Sequence, residues 1–160
     1  MRKQELERVA RAMVAEGKGI LAADESAGTI RKRFAAIGVE STEALRHRYR
    51  EALLTAPGMA EYISGVILFD ETLRQSTHDG QPFAGWLQSH GVVPGINVDR
   101  GTTTLAGFPG SRITEGLDDL RERLYAYQQI GARFSNWPPV ISILKDGPTA
   151  AAGSATSPAH

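Results

Sequence analysis

Hydrophobic residues follow two different spacings along this chain, and the two spacings alternate. Uninterrupted apolar runs predict buried strands, because strands covered on both faces lose the polar alternation of half-exposed ones. These runs lie at 19–23, 64–69 and 91–99. A fourth and weaker strand candidate, 134–143, is broken by Pro138 and Pro139.

Between the apolar runs, hydrophobic residues recur at steps of three and four, which predicts amphipathic helices. The predicted helices span 3–16, 29–37, 42–55, 81–90 and 114–131. Gly17 ends the first of them, and Ser41 or Thr42 caps the third. Strands that alternate with helices in this way predict an α/β fold built on a parallel sheet.

Acidic residues directly follow each of the three clear strands. They are Asp24 and Glu25, Asp70 and Glu71, and Asp99. The carboxyl ends of parallel strands share one edge, where α/β proteins place their chemistry. A closed barrel and an open doubly wound sheet both satisfy this pattern. The sequence has neither a Gly-x-Gly-x-x-Gly after its first strand nor a Walker loop, so the barrel is favoured.

Charge and composition exclude several classes of partner. The 18 basic residues balance 18 acidic ones and are spread along the chain, so nucleic acid is not expected as a partner. There is no cysteine, and His47, His78, His90 and His160 are too far apart for a helical pair of metal ligands. No metal or other cofactor is predicted. The charged N-terminus contains no long apolar run, so we expect a cytoplasmic protein that does not enter a membrane.

The composition divides the chain into two parts. Residues 1–144 carry the strands and helices and are predicted to form one barrel-type α/β domain. Residues 145–160 consist mainly of small and polar residues without periodicity, and they predict a low-complexity, disordered tail.

Two groups of residues near the first strand are candidates for chemistry. Asp24, at the end of a buried strand, suits a general acid or base, although it could equally cap the next helix through Ser26 or Thr29. Ser26 and Thr29 precede three cations, at 31–33, in the first turns of that helix, which suits a bound phosphate. A solvated basic helix face would give the same pattern.

Taken in order, several segments resemble the class I fructose-bisphosphate aldolases. They lie at 17–26, 49–55, 65–69 with 71–73, 95–96 with 98–99, 105–107, 116–118, and 131–134 before Trp137. The first of them reads Gly-Lys-Gly-Ile-Leu-Ala-Ala-Asp-Glu-Ser. The resemblance covers roughly residues 5–143, and an ordered series of motifs is far more specific than any single one.

The resemblance implies about four βα units from the N-terminal part of a TIM (β/α)8 barrel. It also implies the family's reaction, in which a Schiff-base lysine helps to cleave fructose 1,6-bisphosphate into dihydroxyacetone phosphate and glyceraldehyde 3-phosphate. Asp24 matches the catalytic aspartate of the family. Ser26 and Thr29 match hydroxyls that contact a substrate phosphate, and Arg33 matches a nearby basic position.

Three positions depart from the family pattern. The family has lysine where this chain has Asn97 and Asn136, and arginine where it has Pro138. The chain is also expected to stop before the strand that carries the Schiff-base lysine. We therefore expect it to be inactive by itself. The alternative is a non-catalytic fragment that binds phosphosugar weakly or pairs with a full-length aldolase subunit.

Four barrel strands would leave two strand edges without partners. Poor stability of the isolated chain is therefore expected, and a homo-oligomer is possible.

Overall fold

The computed structural model of this protein describes residues 3–108 and 110–140. The predicted tail at 145–160 lies outside these ranges. Four strands form a parallel sheet in the order β1-β2-β3-β6, and two short strands form an antiparallel hairpin. The sheet strands are β1 (Gly19–Ala23), β2 (Ile63–Leu68), β3 (Val93–Asn97) and β6 (Phe134–Asn136), and those of the hairpin are β4 (Thr102–Thr104) and β5 (Arg112–Thr114).

Seven helices accompany the strands in the described residues. They are α1 (Lys3–Met13), α2 (Ala27–Ala35), α3 (Glu43–Leu54), α4 (Met59–Tyr62), α5 (Asp70–Leu73), α6 (Phe83–Ser89) and α7 (Leu120–Gln129). Thr42 caps α3 as predicted, because its hydroxyl accepts a hydrogen bond from the backbone nitrogen of Leu45 at 3.2 Å. The α/β class, the parallel sheet and the positions of its first three strands are confirmed. The fourth strand is shorter than the predicted 134–143, because β6 ends at Asn136.

The predicted helix at 114–131 is wrong over its first part, since α7 begins only at Leu120. The preceding residues form β5, which pairs with β4, and then a turn through Gly116. Gly116 has a φ of +121°, and a Cβ there would lie 2.9 Å from the backbone nitrogen of Arg100. Only glycine tolerates that backbone conformation and that close approach, so the predicted helix cannot run through Gly116.

The register of the parallel sheet assigns each strand residue to an outer or an inner face. The outer residues Ala23, Val66 and Leu68 are fully buried in one core. Leu54 of α3 and Phe83 of α6 belong to the same core and are also fully buried. The helices therefore cover the outer face, as in one wall of a (β/α) barrel.

The inner face is formed by the alternate residues, and it is covered much less. Ile20 is 42% exposed there, and Ala22 is exposed as well. The ring of Phe134 lies across β3, because a Cβ added to Gly95 would be 2.3 Å from the ring. At the C-terminal ends of the strands, this inner face reaches the carboxyl edge of the sheet.

Candidate active site

The carboxyl edge brings together three of the positions that the sequence singled out. Asn97 donates a hydrogen bond from its side-chain amide to the Asp24 carboxylate at 2.6 Å. Asn97 also lies directly opposite Asn136 in the sheet register. Asp24, Asn97 and Asn136 therefore occupy one corner of the inner face, at the ends of β1, β3 and β6.

Asp24 does not cap the following helix. The cap of α2 is Ser26, whose side-chain oxygen accepts a hydrogen bond from the backbone nitrogen of Thr29 at 3.3 Å. The Asp24 carboxylate is instead held from the side by Asn97, half-buried at the end of a strand. This geometry suits a carboxylate that exchanges protons with a bound ligand.

Asn97 fixes the orientation of Asp24 without supplying charge. Its side-chain oxygen accepts a hydrogen bond from the backbone nitrogen of Asp99 at 3.1 Å, so the amide is held at both ends. An amide donates a neutral hydrogen bond, whereas an ammonium group would make a charge-assisted bond roughly twice as strong. The corner therefore presents a carboxylate with a neutral hydrogen-bonding partner.

The hydroxyls of Ser26 and Thr29 lie together at the start of α2, with their oxygens 3.2 Å apart and both residues exposed. Arg33 lies one turn further along the helix, with its side chain 54% exposed. It donates hydrogen bonds to the Glu25 carboxylate and, at 3.3 Å, to the hydroxyl of Tyr49. The basic face is thus only partly solvated, because Arg33 is paired with an acidic neighbour.

Arg50 is the residue of this region that the sequence analysis missed. It is 3% exposed, and it donates to the Glu25 carboxylate and, at 2.7 Å, to the Glu25 backbone carbonyl. Burial alone would raise the pKa of Glu25, but the hydrogen bond from Arg50 and the charges of Arg50 and Arg33 hold that pKa below its ordinary value. The segment next to Asp24 is therefore tied to α3 by a buried ion pair.

The lowered pKa of Glu25 predicts a specific loss of stability in acid. The ionised carboxylate stabilises the folded chain above its ordinary pKa of 4.5, and this contribution disappears as the pH falls through the lower folded-state pKa. We expect Glu25→Gln to flatten the pH dependence of the unfolding free energy below about pH 5, measured by urea denaturation. Glu16→Gln, at an exposed position, is the matched control and should keep the original slope. An unchanged slope in Glu25→Gln would contradict the assignment.

The other acidic residues after the strands have structural partners. Glu71 pairs with Arg46 through two hydrogen bonds of 2.9 and 2.7 Å, and Asp70 pairs with Arg74 at 2.9 Å. Asp99 accepts a hydrogen bond from the backbone nitrogen of Gly101 at 2.7 Å and so closes a turn. Asp24 and Glu25 differ from these residues, because each contacts another position predicted for the site, Asn97 and Arg33 respectively.

Pro138 lies beyond the end of β6, and its carbonyl accepts a hydrogen bond from the Thr114 hydroxyl at 2.8 Å. This residue therefore joins the end of the sheet to the hairpin. A proline side chain offers no donor or charge to a ligand.

Within residues 3–108 and 110–140, no group of three or more histidine or acidic side chains is arranged to hold a metal ion. His78 is instead bound to Glu51, with its Nδ1 2.9 Å from a carboxylate oxygen, and His47 lies 2.6 Å from the Ser76 carbonyl.

No helix in the same described part of the chain is long and apolar enough to cross a membrane.

A parallel sheet with helices on its outer face and a carboxylate at its inner carboxyl edge defines one wall of a (β/α) barrel. A family profile described as glycolytic, fructose-bisphosphate aldolase class-I, matches residues 5–158. The chain belongs to the class I fructose-bisphosphate aldolase family.

Individual relatives agree with this membership. A probable fructose-bisphosphate aldolase class 1 of Xanthomonas campestris is 56% identical over 146 residues, which are 91% of this chain and 44% of the relative. Fructose-bisphosphate aldolase 7, cytosolic, of Arabidopsis thaliana is 49% identical over 154 residues, which are 90% of this chain and 43% of the relative. The chain thus spans somewhat less than half the length of these relatives.

A solved structure confirms the partial barrel. The fructose-bisphosphate aldolase of Plasmodium falciparum, crystallised with TRAP and a small-molecule inhibitor, matches with a TM-score of 0.88 and 42% identity. The match covers 93% of this chain and 44% of that structure. The prediction of an incomplete aldolase barrel is therefore confirmed.

Proposed function

We propose that this chain carries one half of an aldolase-type site, which binds a phosphorylated ketose at its carboxyl edge but does not cleave it unaided. The observation that carries the proposal is the hydrogen bond of 2.6 Å from Asn97 to the Asp24 carboxylate, next to Asn136. This corner keeps the carboxylate that the family uses for proton transfer. It has neutral amides where the family has lysines.

The proposed lack of cleavage follows from the chemistry of the Schiff base. Covalent catalysis on a ketose needs a primary amine close to the substrate carbonyl. Lys18 precedes β1 at the opposite end of the strand from Asp24, and its amine donates to the Ala60 carbonyl at 2.5 Å. Lys32 is exposed on α2. Neither lysine is positioned to attack a ligand beside Asp24.

The phosphate group is proposed to bind at the start of α2. The hydroxyls of Ser26 and Thr29 and the helix N-terminus offer donors to an anion, and Arg33 supplies the cation. Arg33 would then exchange part of its contact with Glu25 for the phosphate, while the buried Arg50 keeps Glu25 neutralised. Ser26 and Thr29 thus have a proposed binding role, and Asp24 a proposed role in proton transfer.

The absence of cleavage is tested directly by trapping. The full chain is incubated with fructose 1,6-bisphosphate and borohydride, and its mass is then measured beside that of a complete aldolase treated identically. We expect a covalent adduct and release of dihydroxyacetone phosphate only in the complete enzyme. An adduct on this chain would disprove the non-catalytic assignment.

Ligand binding is tested by the thermal shift that fructose 1,6-bisphosphate causes. Thr29→Val removes the hydroxyl but keeps the shape of the side chain and the Ser26 cap, so it should abolish most of the shift. Thr103→Val is the matched control, because Thr103 is also exposed but lies in the hairpin. Equal shifts in both variants would argue against the phosphate site, and no shift in the unaltered chain would argue against sugar binding altogether.

The alternative function, pairing with a full-length aldolase subunit, is supported by the incomplete barrel. It has a physical difficulty, because a closed barrel has no free strand edge to offer. Co-purification of the two chains from a mixture would support it.

The cytosolic relatives support a cytoplasmic location, and the family's reaction supports a place in glycolysis or gluconeogenesis.

A further inference from the structure

We propose that Glu51 and two histidines, His47 and His78, form a proton-sensitive latch. The latch holds the loop 74–82 against α3 in weakly acidic and neutral solution and releases it in alkaline solution. This loop joins α5, which begins directly after β2, to α6. Both α3 and α6 contribute to the core on the outer face of the sheet. Release of the loop does not require a bound ligand.

Hydrogen bonds within the loop hold it together as a small unit. The backbone nitrogen of Thr77 donates to the Gln81 carbonyl at 2.8 Å, and that of Gly80 donates to the Thr77 carbonyl at 2.8 Å. Ser76 and Pro82 form an isolated antiparallel bridge at its base. Because these bonds lie inside the loop, it keeps its own shape when its contacts with α3 are lost.

Glu51 of α3 is the centre of the contacts between this helix and the loop. Its side chain is 16% exposed, and one carboxylate oxygen accepts a hydrogen bond from the backbone nitrogen of His78 at 2.6 Å. The other carboxylate oxygen lies 3.9 Å from Nδ1 of His47. His47 in turn donates from Nε2 to the Ser76 carbonyl at 2.6 Å, because a carbonyl can only accept. One carboxylate and two imidazole rings therefore connect α3 to the loop.

Both ring nitrogens of His78 face carboxylate oxygens. Nδ1 lies 2.9 Å from an oxygen of Glu51, and Nε2 lies 3.1 Å from an oxygen of Asp79. A protonated imidazole has a donor on each nitrogen, whereas a neutral one has a donor on one nitrogen and a lone pair on the other. In the neutral ring, a lone pair would face a carboxylate and the attraction between opposite charges would be lost. The geometry therefore favours the protonated form of His78.

The pKa values of the two central groups define the pH range in which the latch is closed. The hydrogen bond to Glu51 and the charges of Asp79 and Glu51 raise the pKa of His78 above its ordinary value of 6.5. The hydrogen bonds from His78 and the charges of both histidines lower the pKa of Glu51 below 4.5. The contribution of His78 is lost as the pH rises through its raised pKa, and that of Glu51 is lost as the pH falls through its lowered pKa.

Charged residues on the surrounding elements are paired outside the latch. Glu71 of α5 is bound to Arg46, and Asp70 of α5 is bound to Arg74. Arg50 of α3 contacts the segment that follows β1. The sequence of α6 contains no charged residue. The charges that act on the latch are therefore its own and that of the neighbouring aspartate in the loop.

Amide hydrogen exchange of the full chain tests the latch. Because His78 is 77% exposed, solvent screens its charge, and we expect opening of the loop without unfolding of the chain. The protection factor of the His78 amide, corrected for the intrinsic exchange rate, should fall several-fold between about pH 6 and about pH 8.5. That of the Val66 amide in β2 should stay constant. A constant value for His78, or an equal fall for Val66, would overturn the proposal.

Replacing the histidine separates its charge from the rest of the loop. In His78→Gln, the amide at this position should already exchange fast at about pH 6, and its protection factor should no longer depend on pH. His90→Gln is the matched control, because His90 is also exposed but contacts Ser89 and the Trp86 carbonyl and has no carboxylate partner in the described residues. This control should keep the pH dependence. If His78→Gln keeps it as well, His78 is not the proton-sensitive group and the proposal is wrong.

An NMR titration identifies the partner of the histidine without relying on loop opening. The His78 ring should titrate above 6.5 in the unaltered chain and closer to 6.5 in Glu51→Gln. The amide oxygen of the new side chain can still accept the hydrogen bond from the His78 backbone. Glu43→Gln, at an exposed position of the same helix, is the control and should leave the titration unchanged. An unchanged titration in Glu51→Gln would contradict the role given to Glu51.

Discussion

Replacing Arg50 with methionine is expected to lower the free energy of unfolding by about 3 kcal/mol, because a buried ion pair that loses one partner leaves an uncompensated charge. Arg50 is 3% exposed and contacts both the carboxylate and the backbone carbonyl of Glu25. The value lies at the low end of the range for buried pairs, because Arg33 still contacts the same carboxylate. Urea denaturation at neutral pH measures the loss.

Arg33→Met is the matched control, since the two arginines contact one carboxylate but differ in burial. The Arg33 side chain is 54% exposed, so its removal should cost much less than the removal of Arg50. Glu25→Gln combined with Arg50→Met should be less harmful than the sum of the single changes, because the two residues share one interaction. Equal losses for Arg33→Met and Arg50→Met would contradict the role given to burial.

Replacing Gly95 with alanine is expected to lower the unfolding free energy by up to about 3 kcal/mol through overpacking. The new Cβ would lie 2.3 to 2.5 Å from three ring atoms of Phe134, well inside van der Waals contact. The ring or strand β3 must therefore shift. Thermal or urea unfolding monitors the loss, and Asn97 on the same strand would be displaced with it.

The control for this change is Gly85→Ala in α6, where a Cβ has no neighbour within 4 Å. Removing a glycine from a helix should stabilise it by as much as about 1 kcal/mol, so the two identical substitutions should have opposite signs. Gly95→Ala should cost less in a Phe134→Ala background than in the unaltered chain. An equal cost in both backgrounds would mean that the ring is not the cause.

Local pattern was sufficient to find the strands of the sheet. Runs such as Gly19–Ala23 are short and apolar throughout, without alternating polar residues. Such runs are typical of strands that are buried on both faces, so their length and composition were enough to identify them. The hairpin was not found in this way, because Thr102–Thr104 is exposed throughout and carries no apolar signal. The start of the last helix was predicted wrongly for a similar reason, since the neighbouring sequence does not show how closely Gly116 approaches Arg100.

The candidate site divides in a similar way. Asp24 directly follows a strand that the sequence predicts, whereas Asn97 and Asn136 were singled out by the family resemblance and lie inside predicted strands that extended beyond them. Parallel strands bring their carboxyl ends to one edge, but only the structure showed that β3 and β6 end at these two residues. The partnership of Arg50 with Glu25 did not follow, because 25 residues and a helix separate them. The sequence also contained no signal that Arg33 would pair with an acidic side chain of the protein itself.

The sequence by itself determined the α/β class, the edge of the sheet at which polar residues follow the strands, and the aldolase family. These properties depend on the spacing of hydrophobic residues, on the direction of the chain and on the order of the motifs. Only the tertiary structure decided which partner each charged group has and which face of the sheet stays uncovered. These outcomes depend on distances between residues far apart in the chain. Burial then determines what the loss of a partner costs. Breaking an ion pair at the surface costs little, whereas removing one partner of a buried pair leaves an uncompensated charge.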